Sequence, residues 1–419
     1  MRGQVTIQED IFMKITHDLA QQIVDRTISI IGKNINIMDE NGFIIGTGDR
    51  SRLNQYHEGA ALVIKNKEKM FIYPENENHL VGVKPGVNLP IEDNNEIIGV
   101  VGITGNPDEV GPFGEIIKMA VEMMLQQEFL LKEIALESQA KENFIHDLIS
   151  GRVGNDKDLF IARGNIVGYD ITIPRVALSV NIYRFEKTTR NSIRDHSGLK
   201  EGEIYLQRLK NDILRTIRDL FQHQPQDIVS YVGGDRFVVL KTINIGNKPE
   251  IIRAKLIKIS NQIKEAILIQ RKFVASIGMG EYHPGIKGIM HSYQEACRAI
   301  EIGDKVNSKI GIHHIADLGI YRLCAELNPE IRNNYIKNIF KKDINNKRKE
   351  LKAIFWDTLQ VFFENNLSIT NTSKAIFVHR NTLLYRLEKI RHATGLDPRK
   401  FNEAIQLYIA LKMKHFQEE

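Results

Sequence analysis

Leu367-Ser-Ile-Thr-Asn-Thr-Ser-Lys-Ala-Ile-Phe-Val-His-Arg-Asn-Thr-Leu-Leu-Tyr-Arg-Leu-Glu-Lys-Ile-Arg-His-Ala-Thr-Gly-Leu396 reads as two short helices joined by a tight turn. Ser368 to Thr370 offer N-cap hydroxyls for the first helix, which carries Ala375 and Ile376. Phe377-Val378-His379 is too short to hold structure of its own and makes the turn. The second helix opens at Arg380 and aligns Leu383, Leu387 and Ile390 on one face at i, i+4, i+7. No apolar partner claims Arg380, Asn381, Thr382, Tyr385 and Arg386. A helix-turn-helix needs this division, because one stripe docks on the preceding helix and the first residues of the opposite stripe meet base edges in a major groove.

Two amphipathic helices joined closely also occur in all-α subdomains that bind no DNA, so the pattern alone decides little. The wording adds to it. His379-Arg-Asn-Thr-Leu-x-Tyr-Arg-Leu-x-x-Ile390, then Thr394-Gly-Leu-Asp397, resembles the C-terminal helix-turn-helix of the purine catabolism and carbohydrate diacid regulator families, from about Leu359 to Lys414. It is similar, more distantly, to the DNA-binding end of the factor for inversion stimulation. His379, Arg380, Asn381, Thr382 and Tyr385 are the expected base contacts. Arg386, Lys389 and Arg391 are expected towards phosphates.

At 419 residues the chain is too long for one ordinary core, and 42% hydrophobic with 26% charged residues marks a globular protein. No apolar run reaches the roughly eighteen residues of a membrane helix. The first ten residues lack the apolar block of a secretion signal, so a cytoplasmic protein without a membrane partner is expected. Cys297 and Cys324 have no companion ligands at metal spacing and read as reduced core thiols. The net charge of +5 hides a division: residues 1–110 hold 10 Lys+Arg against 16 Asp+Glu, leaving 47 against 36 for the remainder. An acidic front and a basic back suit a sensor joined to a nucleic-acid reader.

The expected architecture is multidomain α+β. Residues 1–137 read as a sensor: a helix over Thr16–Ile31, strands at Ile35–Met38 and Phe43–Ile45, and a helical stretch near Leu53–Ile64. Strands then follow at Met70–Tyr73, Val81–Val83 and Ile97–Ile103, an order close to a PAS-like sensor. From Phe113 to Gly151 one long helical pattern runs on, expected to pair with its twin in a homodimer, with 138–154 as the connector helix. Residues 155–305 alternate strands and helices, 306–355 read as a helical linker with a basic stretch (Lys341-Lys342, Lys347-Arg348-Lys349), and 356–419 hold the helix-turn-helix.

Within 155–305, Gly233-Gly234-Asp235-Arg236-Phe237 on a hairpin resembles the signature of the diguanylate cyclase (GGDEF) fold. The chemistry of that fold needs carboxylates to hold magnesium. The family has Glu where Arg236 stands, and Asp-Ile-Asp-x-Phe-Lys where this chain reads Asn181-Ile-Tyr-Arg-Phe-Glu186. A degenerate GGDEF-like α/β domain with no metal, cofactor or turnover is expected. A sensor-regulated nucleotide-binding or cyclase-like enzyme stands as the alternative. A protein-interaction adaptor is a second rival.

In the sensor, Asp49-Arg-Ser-Arg52 and His57 lie near the Val83–Ile91 stretch, read as a Gly/Pro-constrained loop, and together they make a reasonable anion pocket. His57-Glu-Gly-Ala, Gly82-Val-Lys-Pro-Gly-x-Asn-Leu-Pro-Ile91 and Ile97-Ile-Gly-Val-Val-Gly-Ile-Thr-Gly-x-Pro-x-Glu-Val110 resemble the sugar diacid recognition domain. With the other two segments, the resemblance to carbohydrate diacid regulators covers nearly the whole chain. It implies a pocket for small hydroxy-acids of the glucarate, galactarate or glycerate class. Arg52, His57, Asn88, Leu89, Pro90 and Gly105 would line it, with Arg52 or Lys84 clamping a carboxylate.

Overall fold

A computed structural model describes residues 14–75, 80–93, 95–154, 156–183, 185, 199–222, 224–307, 310–340 and 349–417. The opening ten residues, Arg184, Glu186, Lys341-Lys342 and Lys347-Arg348 lie outside them. The chain divides into two compact units, Met1–Ser138 and Gln139–Glu419.

In the first unit, α1 (His17–Ile31) starts at Thr16, whose hydroxyl accepts the Leu19 N–H at 3.4 Å, and stops at Gly32 in the left-handed region. Strands β1 (Ile35–Met38), β2 (Ile44–Thr47), β3 (Met70–Ile72), β4 (Gly86–Asp93) and β5 (Glu96–Thr104) form an antiparallel sheet in the order β2-β1-β5-β4-β3. On one face Val87, Leu89 and Ile91 pack with Leu19 and Ile23 of α1 and with Ile117, Val121 and Leu125 of α3 (Pro107–Ser150). On the other, α2 (Glu58–Asn66) buries Ala60 and Val63 against Met38, Ile44 and Val100.

Three sequence expectations change here. Val81–Val83 is a turn rather than a strand, and the supposed loop up to Ile91 is strand β4. Alternation supports the strand, since Val87, Leu89 and Ile91 share one face, but Pro85-Gly86 and Pro90 disguise it. Proline is tolerated there because β3 pairs only as far as Asn88, so at Pro90 one side of the strand has no neighbour. The expected helix near Leu53–Ile64 starts late: α2 begins only at Glu58, and the 3₁₀ turn ahead of it covers Arg50–Arg52.

In the second unit, β6 (Arg175–Ile182), β7 (Ile228–Gly233), β8 (Arg236–Thr242), β9 (Ala275–Met279) and β10 (Ile312–His314) form a sheet ordered β10-β9-β6-β8-β7. One face carries α5 (Leu199–Asp219) and α6 (Pro249–Arg271), which bury Ile213, Ile217, Ile263 and Ile267. The other face carries the last turns of α3 (Phe144, Leu148), α4 (Lys157–Ile166) and α7 (Ile286–Asn307). A Cβ on Gly278 would lie 1.8 Å from the Ala296 carbonyl oxygen, so α7 rests directly on β9 because a glycine is there.

β10 is a correction, since it lies in the segment 306–355 that was expected to be helical. It pairs parallel to β9, and three residues are too few to show any periodicity. α4, capped by Asp156, was also missed. Beyond β10 come α8 (Ile320–Glu326), α9 (Pro329–Ile339), α10 (Lys349–Glu364), α11 (Ile369–Ala375), α12 (Arg380–Thr394) and α13 (Phe401–Lys414). The segment expected as a helical linker contributes Ile315, Ile336 and Phe355 to the core that holds Leu383, Leu387 and Leu407, and Ala299 and Ile302 of α7 belong to it too.

Candidate effector and nucleic-acid sites

Three buried donors gather in the first unit. Asp49 caps the 3₁₀ turn by accepting the Ser51 N–H at 3.3 Å, which delivers Arg52 inward with only 6% of its surface exposed. Its Nη2 donates to the Gly82 carbonyl, while its Nη1 is buried with no hydrogen-bond partner. His57 caps α2, its Nδ1 accepting the Ala60 N–H at 3.1 Å, so the neutral ring carries its proton on Nε2. Asn88, on the α2 face of β4, has a buried Nδ2 without a partner. A Cβ on Gly59 would sit 3.0 Å from that Nδ2 and 3.2 Å from the His57 ring, so Gly59 is what lets the two approach.

Burial first, then the charge of Arg52, pushes the His57 pKa down to about 4. The unfolded chain therefore holds a proton between about pH 6.5 and about pH 4 that the folded chain does not, and stability falls as pH falls through that window. Melting curves of the whole protein from pH 7.5 to 4.5 should show this decline in the sensor transition. His57→Asn, which keeps a capping acceptor, should flatten it. An identical slope in that variant would assign the decline to other groups.

The remaining predicted residues fall differently. Lys84 is exposed and pairs with Asp49 at 3.4 Å. Pro90 shares the Asn88 face by alternation along β4. Leu89 does not join the donors: its side chain points to the opposite face, into the core with Val87 and Ile91. Gly105 has a structural explanation, since its φ of +152° and a Cβ position 2.7 Å from Val110 suit it to the turn from β5 into α3. Gly59 and Gly82 were missed, and their only sequence signal is nearness to His57 and Lys84.

In the second unit, Ser368 caps α11 through the Asn371 N–H, and His379 caps α12 with Nδ1 accepting from Asn381 N–H at 3.3 Å. Leu383, Leu387 and Ile390 are fully buried, while Arg380, Asn381, Thr382 and Tyr385 are exposed. Arg386 is half-buried, and the Lys389 ammonium lies 4.6 Å from the centre of the Tyr385 ring. Arg391 is committed within the chain to Glu388 at 2.9 Å, and Glu388 also takes Arg399 at 2.8 Å. In α11 the packed positions are Thr372 and Ser373, whereas Ala375 is exposed and Ile376 only half-buried. Phe377, in the left-handed region at φ +53°, projects almost wholly into solvent, which sequence reasoning did not mark.

The hairpin that carries the degenerate signature lacks a fit to magnesium. Asn181 and Arg236 are cross-strand partners on β6 and β8, and together they offer an amide and a cation where a metal needs carboxylates.

A helix whose apolar stripe is locked in a core and whose opening residues stand free, in a chain that also carries a separate sensing unit, defines a ligand-responsive DNA-binding transcriptional regulator. Family profiles agree: residues 15–148 match sugar diacid recognition, 150–302 a GGDEF-like domain, and 355–413 the PucR C-terminal helix-turn-helix domain. The Carbohydrate diacid regulator of Escherichia coli (strain K12) is 31% identical over 398 residues, 94% of this chain and 97% of that relative. The chain belongs to the carbohydrate diacid regulator family. In Bacillus subtilis (strain 168), the DNA-binding transcriptional activator AdeR is 21% identical over 222 residues, 51% of this chain and 52% of its own. The proline-responsive transcriptional activator PutR of the same organism is 28% identical over 141 residues, 33% and 34% of the two chains.

Proposed function

We propose that the protein is a cytoplasmic, homodimeric activator of genes for hydroxy-acid catabolism, with an effector of the glucarate, galactarate or glycerate class. The observation that carries the effector reading is the pair of buried, unpartnered donors on Arg52 and Asn88, beside a neutral His57. Buried donors left unmade are costly, and a carboxylate with a neighbouring hydroxyl supplies the acceptors they lack. The strand order β2-β1-β5-β4-β3 supports a PAS-like sensor. Homodimerisation fits a reader that binds two half-sites of a two-fold operator. Among the described residues no helix is long and apolar enough to cross a membrane. We divide the chain into a sensor (1–137), connector helix (138–154), degenerate GGDEF-like domain (155–305), a segment of strand β10 and helices (306–355) and reader (356–419).

The middle domain performs no cyclase chemistry in this reading, on the strength of Asn181 and Arg236 at its former carboxylate positions. Incubation with GTP and magnesium tests this, and turnover would refute it. At the reader, His379, Arg380, Asn381, Thr382 and Tyr385 face bases, and Arg386 and Lys389 face phosphates. Arg391 has a weaker case because Glu388 already holds it. Arg380→Ala should cost about 1–3 kcal/mol at the operator and relax sequence preference. Lys389→Ala should weaken all sequences evenly and lower the salt slope. Gel shifts at two salt concentrations separate the two behaviours, and normal operator binding by Arg380→Ala would refute the assigned helix orientation. For the effector, a thermal-shift screen of small hydroxy-diacids and glycerate should find a selective rise in melting temperature.

A further inference from the structure

Eight large apolar residues of α3 stand in solvent, each more than half exposed, and all but Leu136 form one group: Phe113, Ile116, Met119, Met123, Leu130, Leu131 and Ile134. At about 100° per residue these seven fall within about 60° of one line down the helix. The residues that hold α3 on the sheet, Val110, Ile117, Val121 and Leu125, lie to the other side. Together the seven expose roughly 800 Å², the size of one partner's share of a standard protein–protein interface. A stripe of that size is unlike the singly scattered apolar residues of an ordinary surface. Residues 131–140 are exposed on every face, and an isolated helical stretch with no packed side is marginal in water.

We propose that this stripe seats the same stripe of a second copy, with the two α3 helices parallel and in register; the proposal rests on the homodimer reading above. Ile116, Met123 and Leu130 are seven residues apart, the repeat of a two-helix seam. Gln127 is the exposed polar residue within the stripe, and a lone polar residue in such a seam fixes its register. Parallel packing follows from connectivity, because it leads both chains out of the helix in the same direction, as two readers on one duplex require. A seam on the last helix of each sensor is also a place where effector binding can alter the spacing of the readers.

The test uses the full chain. Sedimentation equilibrium should show a dimer whose dissociation constant rises at least tenfold in Met123→Lys/Leu130→Lys. Leu136→Lys, exposed but off the stripe, should match the unaltered protein. An effector-induced rise in melting temperature retained in the double variant shows that its sensor is folded. A dimer undisturbed by the two lysines overturns the seam and leaves the homodimer reading standing, whereas a monomer at every concentration overturns both. Leu130→Cys should cross-link to itself on mild oxidation, well above the background of the unaltered protein. Cross-linking only in a mixture of Ile116→Cys with Leu130→Cys overturns the parallel arrangement.

Discussion

Arg52→Met is expected to remove most of the effector affinity while leaving the ligand-free sensor about as stable as before. The two effects have different origins. In the ligand-free protein the guanidinium is almost wholly buried, and one of its two terminal nitrogens has no partner. Burial therefore works against its charge, and nearby Asp49 only partly offsets this. Methionine removes that penalty and keeps much of the packing, but it deprives the Gly82 carbonyl of its donor. These terms oppose each other. Nothing offsets the loss on the liganded side, because a charge-assisted pair with a carboxylate contributes about 1.5–3 kcal/mol, or about ten- to a hundredfold in Kd. Titration calorimetry with glycerate and galactarate, alongside melting curves with and without ligand, reads both effects. A variant that melts far lower yet binds normally would make Arg52 a structural bolt and move the effector elsewhere.

Leu387→Ala should destabilise the second unit by about 2–5 kcal/mol and abolish operator binding without touching the effector response. Leu387 is fully buried in a core shared with Leu359, Phe362, Leu383, Ile390 and Leu407. Removing it leaves a cavity between α12 and the helices that hold it. The sensor cores have no residue in common with this one, so effector-induced stabilisation of the first unit should persist. Tyr385→Ala, two positions away but 61% exposed, should change stability by less than about 1 kcal/mol while it weakens the operator complex. Calorimetry and gel shifts on both variants check the pair. Equal stability and normal DNA binding in Leu387→Ala would mean that the helix turns a different face inward.

The reader was largely legible in the sequence, because the spacing of Leu383, Leu387 and Ile390 is a local property of one helix and the cap at Ser368 is local as well, although the capping role of His379 was not read. The donor cluster was legible only as a set of residue types. Arg52, His57 and Asn88 could be named, but their meeting depends on three separate segments and on the missing side chain of Gly59. Leu89 was misplaced because two prolines and a glycine concealed the alternation that turns it away from Asn88. The commitment of Arg391 was out of reach as well. It depends on Glu388, whose second oxygen takes an arginine eleven residues further along, and no periodicity records that.

The core that joins α7 to the reader also bears on how regulators of this kind can diverge. Ala299 and Ile302 are sealed with Leu383 and Leu407 in one apolar interior, so exchanging tails between relatives at the start of the helix-turn-helix would mate two interiors that never adapted to each other. Point changes along the exposed face of α12 carry no such burden. New operators are thus more readily acquired by rewriting a few surface letters than by swapping the whole tail.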